Sequence, residues 1–383
     1  MKNLILVSLD TVRADVAYNG TFKTIEKFRK SGVTFLNCIS SSPFTPASHA
    51  TVFTGLQPFH HGIRHLFKEK ISTKTRTITQ ILKENGYRTG AVVSCPGMNK
   101  WYGFSRGFDY YDDQIPKLAD GTDPLKTVDV KKRGTALKRA GIVIERAKAW
   151  MKKSDKKPYF LFVHFFDAHW PYEAPETYGG KNAYEEEVAF SDHYLGLLFK
   201  SLEADGSLKN TTIMLVSDHG EDLEGWYPND KGGKKLGHPE EFGHGCLLYD
   251  QTQKTVCIIR DDSLPKNKNI SQQVRLVDVF PTLLDLLHIN YTQDTDGVSI
   301  VPIIKKHEDL NLVAYSETFY PEEQYLASGK FKEAKNKISI RVANRYKYIF
   351  HLNSNIVELY DLKKDPNELH NIYIAPVLHK KRA

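Results

Sequence analysis

Thr211-Thr212-Ile213-Met214-Leu215-Val216-Ser217-Asp218-His219-Gly220-Glu221 is the stretch on which the reading of this chain turns. Its first six residues form a short apolar, β-rich run suited to a buried strand, and the run ends in an acid and a histidine. Two other runs share this plan. Leu4 to Leu9 ends in Asp10, and the nearly continuous apolar run Pro158 to Phe166 ends in Asp167-Ala168-His169. Open α/β sheets bind their ligands just outside the carboxyl ends of the strands. One aspartate at such a place is an ordinary turn cap. Three strand ends, each carrying Asp or His, are hard to explain by capping.

Working outward, strands and helices alternate as far as about residue 300. Helices are expected over Thr21 to Ser31, stopped by Gly32, and over Thr77 to Asn85, stopped by Gly86. Further helices are expected over Ala136 to Lys152, Tyr184 to Leu202, and Val277 to Leu287 with Pro281 in its first turns. Val33 to Ile39, Arg88 to Ser94 and Thr255 to Arg260 read as strands, while 103–113 and 225–242 read as loops. The expected fold class is therefore α/β, a mostly parallel central sheet with helices on both faces, over residues 1–300. Residues 301–383 change pattern. Lys337 to Val342, Tyr346 to His351 and Ile356 to Tyr360 predict a small C-terminal α+β subdomain with antiparallel strands.

Composition narrows the class. The 383 residues are 40% hydrophobic and 26% charged, as in a soluble globular protein. The net charge of +7 is diluted over the chain and fits an anionic substrate. Basic runs such as Lys131-Lys132-Arg133 and Lys380-Lys381-Arg382 read as solvated faces, and no aromatic interleaving points to nucleic acid. The cysteines Cys38, Cys95, Cys246 and Cys257 have no disulfide or zinc spacing. The apolar run at the N-terminus is too short for a signal peptide, and no run reaches the 18 or so residues of a membrane span, so a cytoplasmic location is expected.

Ser42-Pro43-Phe44-Thr45-Pro46-Ala47-Ser48-His49 begins in turn chemistry and continues as a helix to Gly55. A helix start favours an anion, so the Thr45 hydroxyl is either an N-cap or a nucleophile. Two carboxylates and an imidazole can hold a divalent cation beside such a hydroxyl, which favours its alkoxide and draws charge from a tetrahedral anion.

At this point the chain resembles the sulfatase family within the alkaline phosphatase superfamily. The matching segments are Val7 to Asp15, Thr45 to Gly55 with His61-Gly62, Asp167 to Tyr172, Val216 to Glu221, His244-Gly245 with Leu248-Tyr249-Asp250, Asp278 to Leu284, and Leu359-Tyr360-Asp361-Leu362. The resemblance implies that Asp10, Asp218 and His219, with Thr45, are metal ligands, the ion being calcium, magnesium, manganese or zinc. It implies that Thr45 is the nucleophile and that His169 and His244 contact the substrate's charged oxygens or its leaving group. His49 stands where many members carry an arginine. Asp167, His60, His61, His65 and His238 are weaker candidates for a second metal.

The departures matter. Members that hydrolyse sulfate esters mature a cysteine or serine to formylglycine, which threonine cannot yield. Threonine resembles the superfamily's phosphodiesterases and phospho-group transferases. The expected activity is metal-dependent hydrolysis of a small-molecule or glycan anionic ester, with phosphodiester or phosphonate chemistry through a phospho-threonine favoured. A transferase to a glycan or lipid acceptor and a sulfuric ester hydrolase without formylglycine are the alternatives.

Overall fold

The computed structural model describes residues 1–66, 68–117, 121, 123, 138–152, 157–223, 241, 243–323 and 335–374. Within these the central sheet is built as the apolar runs require. Strands β1 (Asn3–Leu9), β2 (Val33–Ile39), β3 (Arg88–Val92), β4 (Tyr110–Asp112), β5 (Tyr159–Phe165), β6 (Thr211–Val216), β7 (Lys254–Thr255), β8 (Cys257–Arg260) and β9 (Lys268–Arg275) form one sheet. Its order is β4-β3-β5-β1-β6-β8-β2-β7, with β9 also paired to β2. The five strands from β4 to β6 run parallel. β8 runs antiparallel to β6 and to β2, and β9 parallel to β2. The sheet is thus mostly parallel, with β8 reversed beside its centre and the two-residue β7 reversed at its edge.

Both faces are covered, because alternate strand residues feed two separate cores. Leu4, Leu6, Phe160 and Phe162 pack on one side, with Val52 and Phe53, Ile81 and Leu82, and Phe280, Leu283 and Leu284. Ile5, Val7, Leu161 and Val163 pack on the other, with Ile25 and Phe28, Ala147 and Trp150, and Leu195 and Leu198. The covering helices are Lys23–Ser31, Thr45–Thr54, Ile78–Glu84, Ala140–Met151, Ala183–Ala204 and Val279–Leu286. Thr77 starts one of them with a reciprocal cap: its side chain accepts from Gln80 N–H while Gln80 bonds back to the Thr77 backbone.

Several expectations are corrected in detail. The expected 103–113 loop contains β4, whose residues Tyr110, Tyr111 and Asp112 pair with Gly90, Ala91 and Val92. The strand expected over Thr255 to Arg260 divides at Val256 into β7 and β8, both of which run reversed. β9 was not expected at all. The helix expected from Ala136 runs over Ala140–Met151, and residues 136–137 lie outside the described residues. So do the 225–240 part of the expected loop, Trp226 and His238.

A second sheet of four antiparallel strands follows, β10 (Ala314–Thr318), β11 (Lys337–Val342), β12 (Tyr346–His351) and β13 (Val357–Asp361). β10 is an addition to the three strands read from the sequence. It carries the sheet to the segment that leads into the Thr45 helix: Glu317 N–H donates to Ser41 O at 3.0 Å and Ser316 Oγ to Ser40 O at 2.5 Å. Among the described residues, no helix is long and apolar enough to cross a membrane.

Candidate active site

The parallel register brings the acidic strand ends together. Ser8 pairs with Val216 across β1 and β6, so Asp10 and Asp218, each two residues further on, leave the same edge side by side. Both are buried. Burial pushes the Asp10 carboxyl up from its ordinary value, and burial followed by the Asp10 charge does the same to Asp218. Asp218 Oδ1 accepts from Thr11 N–H at 3.2 Å and His219 N–H at 2.9 Å. His219 Nδ1 lies 2.9 Å from Gly220 O, so that nitrogen carries the proton and Nε2 offers its lone pair.

Among the described residues, three buried atoms at this place are left without a hydrogen-bond partner: Asp10 Oδ1, Asp218 Oδ2 and His219 Nε2. Nε2 is 3.3 Å from Asp218 Oδ2 and 4.0 Å from Asp10 Oδ1, and these three residues can bring one ligand atom each within 4.8 Å of one another. Orphaned buried polar atoms are costly unless something satisfies them. Two carboxylates, one imidazole lone pair and a neighbouring hydroxyl suit a divalent cation, and the residues present fit one.

Thr45 supplies the hydroxyl. It is the first residue of its helix, not the N-cap; Phe44 holds that place and makes no side-chain cap. The Thr45 Oγ1 instead donates to Asp10 Oδ2 at 3.1 Å. The same oxygen accepts from His164 Nε2 at 3.1 Å, while His164 Nδ1 accepts from Ser94 N–H at 3.3 Å. That second bond fixes the tautomer, so His164 Nε2 is a donor that aims Asp10 rather than a metal ligand. Cys95, His164 and Asp10 also lie close enough to share an ion, but with Nδ1 occupied by an N–H the imidazole has no lone pair to turn toward it. Sequence reading missed His164, which lies inside the apolar run of β5.

His49 and Ser8 complete the support. His49 Nδ1 meets Thr45 O at 2.8 Å and Nε2 meets Ser8 Oγ at 2.9 Å, so neither nitrogen is left for a substrate oxygen. Burial lowers its pKa to about 4, and it sits as a neutral strut. His169 and His244 are brought to the site. His169 stacks on Phe166 and its ring centroid is 5.0 Å from that of His244, which lies 4.3 Å from His219. Burial lowers both pKa values, in His244 well below the ordinary value.

Other candidates lie elsewhere. Asp167 is held by Arg139 Nε at 3.1 Å and by the Ala140 N–H at a helix start. His61 is buried against Thr51, His60 pairs with Asp296, and His65 with Glu69.

The family model described as Sulfatase matches residues 2–289, and that of N-sulphoglucosamine sulphohydrolase, C-terminal, matches 242–382. The chain belongs to the sulfatase family. A delta 4,5-hexuronate-2-O-sulfatase of Bacteroides thetaiotaomicron is 21% identical, over 99% of this chain and 86% of its own. An arylsulfatase of Clostridium perfringens is also 21% identical, over 97% of this chain and 90% of its own. Among solved structures, a protein in complex with its substrate D-glucosamine-2-N,6-O-disulfate superposes with TM-score 0.75 at 17% identity, covering 97% of this chain and 93% of its own. The phosphonate monoester hydrolase of Agrobacterium radiobacter gives 0.73 at 18% identity, covering 97% and 91%. This sulfatase-family chain is thus an ester hydrolase with the family's α/β fold, and its relatives and structural neighbours include enzymes named for sulfate esters and for phosphonate esters.

Proposed function

We propose that this sulfatase-family enzyme hydrolyses phosphodiesters or phosphonate monoesters through a covalent phospho-threonine on Thr45, with Asp10, Thr45, Asp218 and His219 holding one divalent cation. The observation that carries the reading is the Thr45 hydroxyl. It makes no helix cap and donates to Asp10 Oδ2 at 3.1 Å, and by sequence resemblance Thr45 aligns with the family's nucleophile, where a threonine cannot become formylglycine.

The cation, when bound, supplies Lewis acidity that lowers the pKa of the Thr45 hydroxyl and offsets charge on the substrate's oxygens. The protein's own residues do the rest. Asp10 Oδ2 already accepts the Thr45 hydroxyl proton, and His164 holds that carboxylate in register. Thr45 Oγ bonds to phosphorus as the bond to the leaving oxygen breaks. His244 protonates that oxygen; in the second half-reaction water attacks phosphorus and gives its proton to His244, and Thr45 Oγ departs and recovers the proton held on Asp10 Oδ2. His169 Nδ1 is engaged by Trp170 O at 2.7 Å, so its Nε2 lone pair is free to steer the attacking water. His49 holds the helix and touches no reacting atom.

The test is turnover of p-nitrophenyl sulfate, phosphate monoester, phosphodiester and phosphonate substrates across a metal series, by wild type and Thr45→Ala. The expected result is phosphodiester or phosphonate turnover that is lost in the variant, with phosphate found on Thr45 by mass spectrometry after a rapid quench. Sulfate turnover alone would refute the phospho-threonine and favour a sulfuric ester hydrolase without formylglycine. Transfer of the phospho-group to an added glycan or lipid alcohol in preference to water would reassign the enzyme as a transferase.

A further inference from the structure

Glu221 is a buried carboxylate that the proposed chemistry has not yet used. It lies two residues after His219. Its Oε1 lies 3.0 Å from His244 Nδ1, and its Oε2 has no hydrogen-bond partner among the described residues. The two residues are 23 apart in sequence, and a short antiparallel bridge brings them together. Asp222 N–H donates to Gly243 O at 2.6 Å and Gly243 N–H to Asp222 O at 3.1 Å. Gly243 has φ +87°, and a Cβ there would lie 3.1 Å from Glu221 Oε1. The carboxylate therefore rests on the bare glycine backbone, one residue before the imidazole it contacts.

We infer that Glu221 is the positioning residue for His244, in a buried Glu–His pair that turns Nε2 toward the reacting ester. With Nδ1 tied to Glu221, Nε2 is the only ring nitrogen left for substrate, and the ring's packing against His219 and His169 points it into the cluster. Carboxylate–imidazole pairs of this kind fix ring orientation and tautomer in other hydrolases. The proton balance closes on His244 itself: in the first half-reaction Nε2 gives its proton to the departing oxygen, and in the second Nε2 takes one back from the attacking water, while the Nδ1–Glu221 bond holds the ring in place throughout.

This inference rests on the assignment of His244 as leaving-group donor, and the experiment separates the two. Glu221→Gln, His244→Ala and the double variant are assayed with two substrates of the same phospho-ester class, one releasing p-nitrophenol and one a simple alcohol. Metal content and melting temperature are checked for each. General acid catalysis is worth about 100- to 10,000-fold and matters most for poor leaving groups. Glu221→Gln is expected to lower kcat about tenfold or more on the alcohol ester and only a few-fold on the p-nitrophenyl ester. His244→Ala should show the same asymmetry, and the double variant should be no slower than His244→Ala alone. Equal losses on both substrates in Glu221→Gln, or losses that multiply in the double variant, would overturn the pairing and leave His244 in place. Equal losses on both substrates in His244→Ala would overturn the His244 assignment and the pairing with it.

Discussion

Replacing His164 with phenylalanine isolates the contribution of one hydrogen bond to the metal cluster. The ring lies between Phe162 and Phe166 and meets His49 edge-on at 5.0 Å, so a phenyl ring preserves most of the packing. Two bonds are lost. The Nε2–H to Asp10 Oδ2 bond, 3.1 Å long, goes to a carboxylate, and such bonds contribute about 1.5–3 kcal/mol. If all of that were spent on holding Asp10 for the ion, affinity would fall about 10- to 150-fold, at 1.4 kcal/mol per decade. A donor also withdraws electron density from a ligand, so its removal has a small opposing effect. Orientation wins, because among the described residues the other donor to that oxygen is the Thr45 hydroxyl, which the chemistry must free. We expect dissociation constants about 10- to 100-fold weaker, in the range found for second-sphere changes. The Ser94 N–H also loses its acceptor, which costs about 1–3 kcal/mol of stability independently of metal. The assay is isothermal titration of chelator-treated protein with Mn²⁺, with urea unfolding of the same samples and His60→Ala as a control far from the cluster. A folded His164→Phe protein that binds the ion within twofold of wild type would refute the reasoning.

Two further outcomes follow from buried groups nearby. His61, with Ile63 N–H donating to Nδ1 at 3.1 Å and Thr51 Oγ1 3.2 Å from Nε2, has its pKa lowered by burial to about 3. The folded value lies below the unfolded 6.5, so its stabilising effect is complete above pH 6.5 and is lost as pH falls toward 3. His61→Gln should flatten the decline of the unfolding free energy between pH 6 and 4, read by urea titration, by up to about 1.4 kcal/mol per pH unit, and an unchanged slope would count against it. Gly245 has φ +111°, and a Cβ there would lie 2.5 Å from Tyr320 Cδ1. Gly245→Ala should therefore lower stability by about 1–3 kcal/mol and reduce turnover by displacing His244, with partial recovery when Tyr320 is also cut to alanine. Full stability in the single variant, read by thermal melting, would show that the ring gives way freely.

How much of this was legible in the sequence depends on which signal a residue gave. Asp10, Asp218 and His219 end apolar strands, and polarity at such an abrupt boundary is visible without coordinates. Thr45 was visible as a hydroxyl at a helix start, but whether it capped that helix could not be read, because the choice depends on where Asp10 lies in space. His164 and Ser8 were hidden by their surroundings. Each looks like one polar residue inside a core strand. The available clue was periodicity: Ser8 follows Leu4 and Leu6, and His164 follows Phe160 and Phe162, on the strand face beneath the Thr45 helix, and the two are paired in register. Two polar side chains at neighbouring inward positions mark a place where the core is interrupted. β9 and β10 escaped because their residues are largely polar, and a strand paired along its edges needs little apolar sequence. The reversal of β8 left no trace, since periodicity carries no direction.

The contact between β10 and the Ser40–Ser41 segment has a consequence for how this chain can vary. One backbone bond and one from the Ser316 hydroxyl tie the last sheet to the residues that lead into the Thr45 helix, Thr318 Oγ1 bonds to Gly245 O, and Tyr320 stacks on Phe44. Residues more than 270 positions apart thus set the two flanks of one hydroxyl. Such a sheet is not an appendage that recombination could exchange intact, because its first strand is bonded both to the lead-in of the Thr45 helix and to the residue after His244, and a foreign sheet would have to remake those bonds to keep the frame around Thr45.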